Sequence, residues 1–115
     1  MMKIIKKQIS KKELRKMAGK MFDNLVKAVV DIDKKIMVVD AEMHADEEQF
    51  LLEKDSRQKD LWGINLYPDK FGQDDFIEFD SLINLRPSQN NRSRDVDNLK
   101  IRQKIIKIVN QLVKK

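Results

Sequence analysis

Between Val26 and Met43 the chain alternates apolar and polar residues twice over, and this period of two constrains the fold more than any other feature. Val26, Ala28, Val30 and Ile32 alternate with Lys27, Val29 and Asp31, which predicts a strand. Asp33-Lys34 then reads as a turn, although neither residue is the glycine such turns favour. After it Ile36 to Met43 predicts a second strand, with Met37, Val39, Ala41 and Met43 on one face. Asp40, Glu42 and His44 fall on the other face, beyond Ile36 and Val38. A third strand is expected from Leu61 to Tyr67, turning Trp62, Ile64 and Leu66 inward and Gly63, Asn65 and Tyr67 outward.

A fourth strand is read from Phe76 to Arg86. Ile77, Phe79, Ile83 and Leu85 share one face with Ser81, and Glu78, Asp80, Asn84 and Arg86 share the other with Leu82. Helices flank these strands. Ser10 and Glu13 have capping-box spacing ahead of Leu14, Met17, Ala18 and Met21, which predicts a helix near 11–21 with a lysine-rich outer face. Lys3 to Ile5 is a short strand or an arm. Asp46 and Gln49 are placed to cap a short helix over about 47–54, and Asp95 or Asp97 to cap a long C-terminal helix striped by Ile101, Ile105, Ile108, Val109 and Leu112. The expected fold is therefore a single α+β domain over residues 1–115. It has an antiparallel sheet of about four strands, covered on one face by an N-terminal helix, a short middle helix and a long C-terminal helix.

At 115 residues, such a chain buries about two thirds of its unfolded surface without metal or disulfide. Apolar residues make up 41% and charged residues 37%, so a folded core with a heavily charged exterior is expected. With no cysteine, the chain has no disulfide, thiol nucleophile or thiolate metal site, which fits a cytoplasmic protein. The basic N-terminal stretch is not followed by a continuous apolar segment, so neither a signal peptide nor a membrane span is expected.

Charge is distributed unevenly. Residues 1–35 carry 11 basic and 4 acidic side chains, residues 36–85 carry 4 and 13, and residues 86–115 carry 9 and 2. Basic ends thus flank an acidic middle. They either pack against it and balance it or remain free for an anionic partner.

The polar sheet face holds the candidate site. His44 is the only histidine, and its ordinary pKa makes it the natural proton carrier; packing or capping is its structural role. Glu42 and Glu78 suit an acid/base pair or oxygen ligands for a divalent ion, or else cross-strand pairing with Arg86 or a lysine. Which metal or cofactor is involved, if any, is left open. Asparagine is disfavoured in strands, so Asn65 and Asn84 within apolar runs call for a hydrogen-bonded network or a ligand. Pro87 to Arg94 follows as a loop of donors, in which Asn91 and the guanidinium groups of Arg86, Arg92 and Arg94 hold an anion or tie the loop to the acidic middle. Only three glycines occur, and no phosphate-binding glycine loop, nucleophile elbow, His-Glu-x-x-His helix or dinucleotide fingerprint is present.

His44-Ala-Asp46 with Glu48, Ser56-Arg-Gln58, Asp60 to Pro68, Phe76-Ile-Glu78, Ser81 to Pro87 and Asn91-Arg-Ser93 together resemble an uncharacterised prokaryotic family of short proteins. The Leu-Trp-Gly-Ile-Asn and Ile-Asn-Leu-Arg-Pro elements are the most specific part of the likeness, which runs from about Val26 to the C-terminal helix. The resemblance implies that Glu42, His44, Asp46, Asn65, Glu78, Asn84, Arg86 and Arg92 match family motif positions. Asp80 stands where the pattern has a smaller hydroxyl residue.

Two functions from different classes follow. One is a small enzyme or binding protein whose polar pocket takes an anionic, phosphoester-like ligand, with Glu42, His44 and Glu78 as proton-transfer or metal groups and Asn65, Asn84, Arg86, Asn91 and Arg92 orienting the ligand. It requires His44, Glu78 and Arg86 to share one pocket. The other is a non-catalytic nucleic-acid-binding module that uses the basic terminal helices. No membrane partner is expected, and the oligomeric state is left open.

Overall fold

The computed structural model describes residues 1–115 throughout. Strands β1 (Lys3–Ile5) and β2 (Ile9–Ser10) precede helix α1 (Lys11–Met21), then come β3 (Val26–Asp31), β4 (Ile36–Val39) and helix α2 (His44–Leu52). Strands β5 (Leu61–Leu66) and β6 (Ile77–Glu78), helix α3 (Leu99–Leu112) and β7 (Val113–Lys114) complete the chain. Five strands form one antiparallel sheet in the order β1-β4-β3-β5-β6, so Lys3 to Ile5 is a strand and the sheet is one strand wider than expected. Strands β2 and β7 pair in parallel, Ile9 with Val113 and Ser10 with Lys114, and so fasten the two ends of the chain together.

The β3–β4 turn forms without glycine because a buried carboxylate holds it. Asp31 Oδ1 accepts from the amides of Asp33 at 2.9 Å and Lys34 at 3.0 Å, while its Oδ2 accepts from the Ser56 hydroxyl at 2.6 Å. Lys35 closes the turn in the left-handed region, at φ 59°. The α1 cap forms as expected on one side only. Ser10 Oγ accepts from the Glu13 amide at 3.1 Å, but the Glu13 carboxylate turns to Lys3 Nζ at 2.9 Å instead of returning to the cap.

Helices cover both faces of the sheet, not one. On the first face Val26, Ala28, Val30, Met37, Val39, Trp62, Ile64 and Leu66 meet Leu14 and Ala18 of α1 and Ile105, Ile108, Val109 and Leu112 of α3 in the main core. On the second face Val29, Val38 and Leu61 meet Leu51 of α2 in a smaller core. The strand β4 explains the difference: Ile36 and Val38 give its outward face enough apolar surface to hold a helix.

Three further expectations are corrected. The second strand stops at Val39 because Asp40 takes φ 74°, so Glu42 is not on a strand and His44 opens α2, whose N-cap Met43 makes no side-chain bond. The strand read from Phe76 to Arg86 pairs only at Ile77 and Glu78; residues 82–84 and 87–89 are turns of 3-10 helix. Its face pattern breaks there: Ile77 and Phe79 pack on the main core, whereas Ile83 packs on the smaller one. Finally, α3 is capped by Asn98, whose Oδ1 accepts from Lys100 at 2.9 Å and Ile101 at 3.2 Å. Asp97 instead folds the preceding loop, accepting from Ser93 Oγ at 2.6 Å and the Arg92 amide at 3.0 Å, and these bonds hold its carboxyl below the usual range.

Candidate functional site

Strand β5 outruns its neighbour. β6 pairs only with Asn65 and Leu66, which leaves the outer edge of β5 from Leu61 to Gly63 without a backbone partner, and unpaired buried backbone groups are costly. Side chains take the missing strand's place. Asn84 accepts from the Gly63 amide at 2.8 Å and donates to the Gly63 carbonyl at 3.0 Å, as a paired residue would, and also donates to Arg94 O at 3.0 Å. Arg86 donates to the carbonyls of Leu61, Gln58 and Ile83, with its guanidinium 4.6 Å from the Trp62 ring centre and 3.6 Å from a Glu48 oxygen. Asn91 donates to Asn84 O and Asp95 O, both at 2.7 Å, and accepts from the Asp97 amide at 2.7 Å. All three are buried. The Ile-Asn-Leu-Arg-Pro element thus closes a sheet edge. Its partner glycine is equally constrained, since a Cβ on Gly63 would lie 2.6 Å from both Cβ and Oγ of Ser81.

Further along β5 the polar groups are less completely satisfied. His44 Nε2 donates to Ile64 O at 2.7 Å, and burial holds the ring below its ordinary pKa, so it is neutral. Asn65 Nδ2 donates to Glu78 Oε1 at 2.8 Å, which also accepts from the Tyr67 hydroxyl at 3.0 Å; burial first, then this bond, raises the Tyr67 pKa. Asn65 Oδ1 is buried with no donor. Asp80, close by, accepts from Arg94 Nε at 2.6 Å.

The structure therefore brings His44, Asn65 and Glu78 together at one end of β5 and places Arg86, Asn84 and Asn91 toward the other. Glu42 belongs to neither group: it is exposed, makes no ion pair, and borders a separate groove with Met2, Met21 and Phe50. The Arg92 side chain is exposed and unpaired. No three acidic or histidine side chains converge as a metal site.

One buried group escaped the sequence reading. Glu47, in the first turn of α2, is fully buried with neither carboxylate oxygen hydrogen-bonded. Burial pushes its pKa well above the usual glutamate range, and the charge of Lys27 offsets this only in part. The signal was its place on the His44–Glu47–Leu51 face of α2, which a helix expected to begin only near residue 47 does not reveal.

Charge is segregated by face. α2 and its flanks, residues 40–55, carry seven carboxylates against Lys54 alone. On the opposite side, the β2–β7 pairing joins the start of α1 to the end of α3. Lys6, Lys7, Lys12, Lys114 and Lys115 are exposed there without ion pairs, and Lys16, Lys20, Lys100, Lys104 and Lys107 continue the basic surface along the two helices.

The fold and site define a small α+β domain with a side-chain-closed sheet edge and a basic helical layer. A family model described as a protein of unknown function (DUF5674) matches residues 3–112, and the chain belongs to that family. Neither the curated proteins nor the solved structures give a match. No helix is long and apolar enough to cross a membrane.

Proposed function

We propose that the protein is a non-catalytic nucleic-acid-binding module that holds phosphates on the outer surface of α1 and α3. The segregation of charge carries this reading. Both basic ends of the chain lie on the sheet face opposite α2, and most of their lysines have no carboxylate partner to satisfy them. Lysines arranged in this way along two helices favour phosphate contacts, which need no pocket and no reactive group. Exposed aromatic side chains, which would stack on unpaired bases, are not interleaved with them, so contact with the backbone carries the affinity.

Titration of the whole chain with mixed-sequence RNA and DNA at low and moderate salt tests the reading. Binding is expected to fade with salt and to weaken at least tenfold when Lys11, Lys12 and Lys16 are changed together to glutamate. Absence of binding at low salt would overturn it.

A second reading, an enzyme or binding site for an anionic phosphoester-like ligand, draws on one observation. Asn65 Oδ1 is buried without a donor beside His44 and Glu78, so a ligand hydroxyl would satisfy it. Glu42, His44 and Glu78 would then move protons and Arg92 would meet the anion. Against it, Asn84, Arg86 and Asn91 already spend their hydrogen bonds on backbone. Loss of ligand binding or activity in His44→Ala or Glu78→Gln, with binding to nucleic acid unchanged, would favour this second site.

A further inference from the structure

Between the β3–β4 turn and the second half of α3 lies a cleft of about 450 Å³ that mixes charges of both signs. Lys35 reaches it from the turn, and Lys104, Lys107 and Gln111, at helical spacing on α3, line the other wall. None of these lysines makes an ion pair. Asp33 and Asp60 line the same cleft, and their carboxylates make no ion pair and accept no hydrogen bond. Cations and anions share one concavity without neutralising each other.

A cleft for bare phosphate would not include two carboxylates, because they repel the ligand the lysines attract. A ligand that pairs phosphate oxygens with hydroxyl donors resolves the conflict: lysines take the anion, and carboxylates accept from the hydroxyls. Ribose in a phosphodiester chain has that character, since its 2′-hydroxyl donates where deoxyribose has nothing, and acidic side chains bind ribose hydroxyls in nucleotide sites. We propose that this cleft seats a ribonucleotide unit of an RNA strand, Lys35, Lys104 and Lys107 holding the phosphate and one of the carboxylates, Asp33 or Asp60, accepting the single hydrogen bond of the 2′-hydroxyl. The proposal rests on the nucleic-acid reading above and narrows it to RNA.

The wild-type chain can be titrated with three single strands of one sequence: RNA, DNA, and RNA methylated at every 2′-oxygen. RNA is expected to bind about tenfold more tightly than either of the others, the scale of one charge-assisted hydrogen bond. The paired change Asp33→Asn with Asp60→Asn should shrink that ratio several-fold while leaving DNA binding equal or slightly stronger, and Lys104→Glu with Lys107→Glu should weaken RNA more than DNA. Equal binding of all three strands overturns the ribose assignment and leaves the basic layer as a general polyanion surface. Binding of none of them overturns both. An RNA preference that survives both paired changes, in variants whose melting temperature matches wild type, places the discrimination elsewhere and also overturns the assignment.

Discussion

The two ends of strand β5 treat buried polar groups differently. At Leu61 to Gly63 the Gly63 amide and carbonyl are met by Asn84 and the Leu61 carbonyl by Arg86, while Asn91 holds the Asn84 backbone carbonyl and Glu48 lies beside the Arg86 guanidinium. At Asn65 the network thins: one amide oxygen has no donor, and on the helix above, Glu47 is buried with none either. The first end teaches that asparagine and arginine in an apolar run need no ligand to explain them. They substitute for a strand that has turned away. The second end shows where the fold retains unpaired polarity, and the basic layer across the sheet shows where it retains unpaired charge.

The largest effect that would break this contrast comes from Asn84→Ala. Gly63 N–H and Gly63 C=O each lose their partner, at about 1–3 kcal/mol per orphaned group, while Arg94 O keeps the Ser81 amide. Thermal denaturation should show a midpoint lower by about 10 °C or more for a domain of this size. An unchanged midpoint would mean that Asn84 is free for a ligand and that the edge closure is incidental.

Next in size is Gly63→Ala, which drives a methyl group into Ser81 and should cost about 1–3 kcal/mol through overpacking. Gly63→Ala combined with Ser81→Gly should recover part of the loss in the same melting experiment. Failure of that rescue would place the strain somewhere other than this contact.

A smaller, pH-dependent effect sharpens the other end. Glu47 holds its proton to higher pH in the folded state, whereas the unfolded chain releases it in the ordinary glutamate range. Stability should therefore fall as pH rises above that range, until the folded group itself ionises. Glu47→Gln should remove that fall and raise the melting temperature at neutral pH and above. His44 acts in the opposite direction: its depressed pKa means stability is lost as pH drops below the ordinary histidine range. Melting curves across pH 4 to 9 for wild type, Glu47→Gln and His44→Ala would separate the two contributions.

The smallest stability effect belongs to the basic layer. Changing Lys11, Lys12 and Lys16 to glutamate should move stability by only about 0.5 kcal/mol per site, because surface positions away from core features contribute little. The same variant should lose most of its affinity for nucleic acid.

Much of this fold was legible in the sequence. The span of α1, the inward faces of β3 and β5 and the apolar stripe of α3 all follow from periodicity, because each element buries one face against the main core. The length of β4, the start of α2 and the fate of Ser81 to Arg86 did not. Asp40 ends β4 with a left-handed residue that alternation does not register, and the α2 cap carries no side-chain signal. In Ser81 to Arg86 the period of two persisted although the backbone had left the sheet, since side chains were doing the pairing. The polar site was legible only as a set of residue types. His44, Asn65 and Glu78 do assemble, but Arg86 lies with Leu61, outside their cluster, because it serves the edge at the far end of β5.

On this proposal the motif residues build the sheet edge and nucleic-acid binding falls on the basic layer. Amide chemical-shift mapping of the wild-type chain during titration with a single-stranded RNA tests it most directly. The account predicts shifts concentrated in α1, in the β3–β4 turn around Lys35, and in α3 near Lys104 and Lys107, with Gly63, Asn84 and Asn91 unmoved. Shifts centred on His44, Asn65 and Glu78 with a silent helical layer would contradict it.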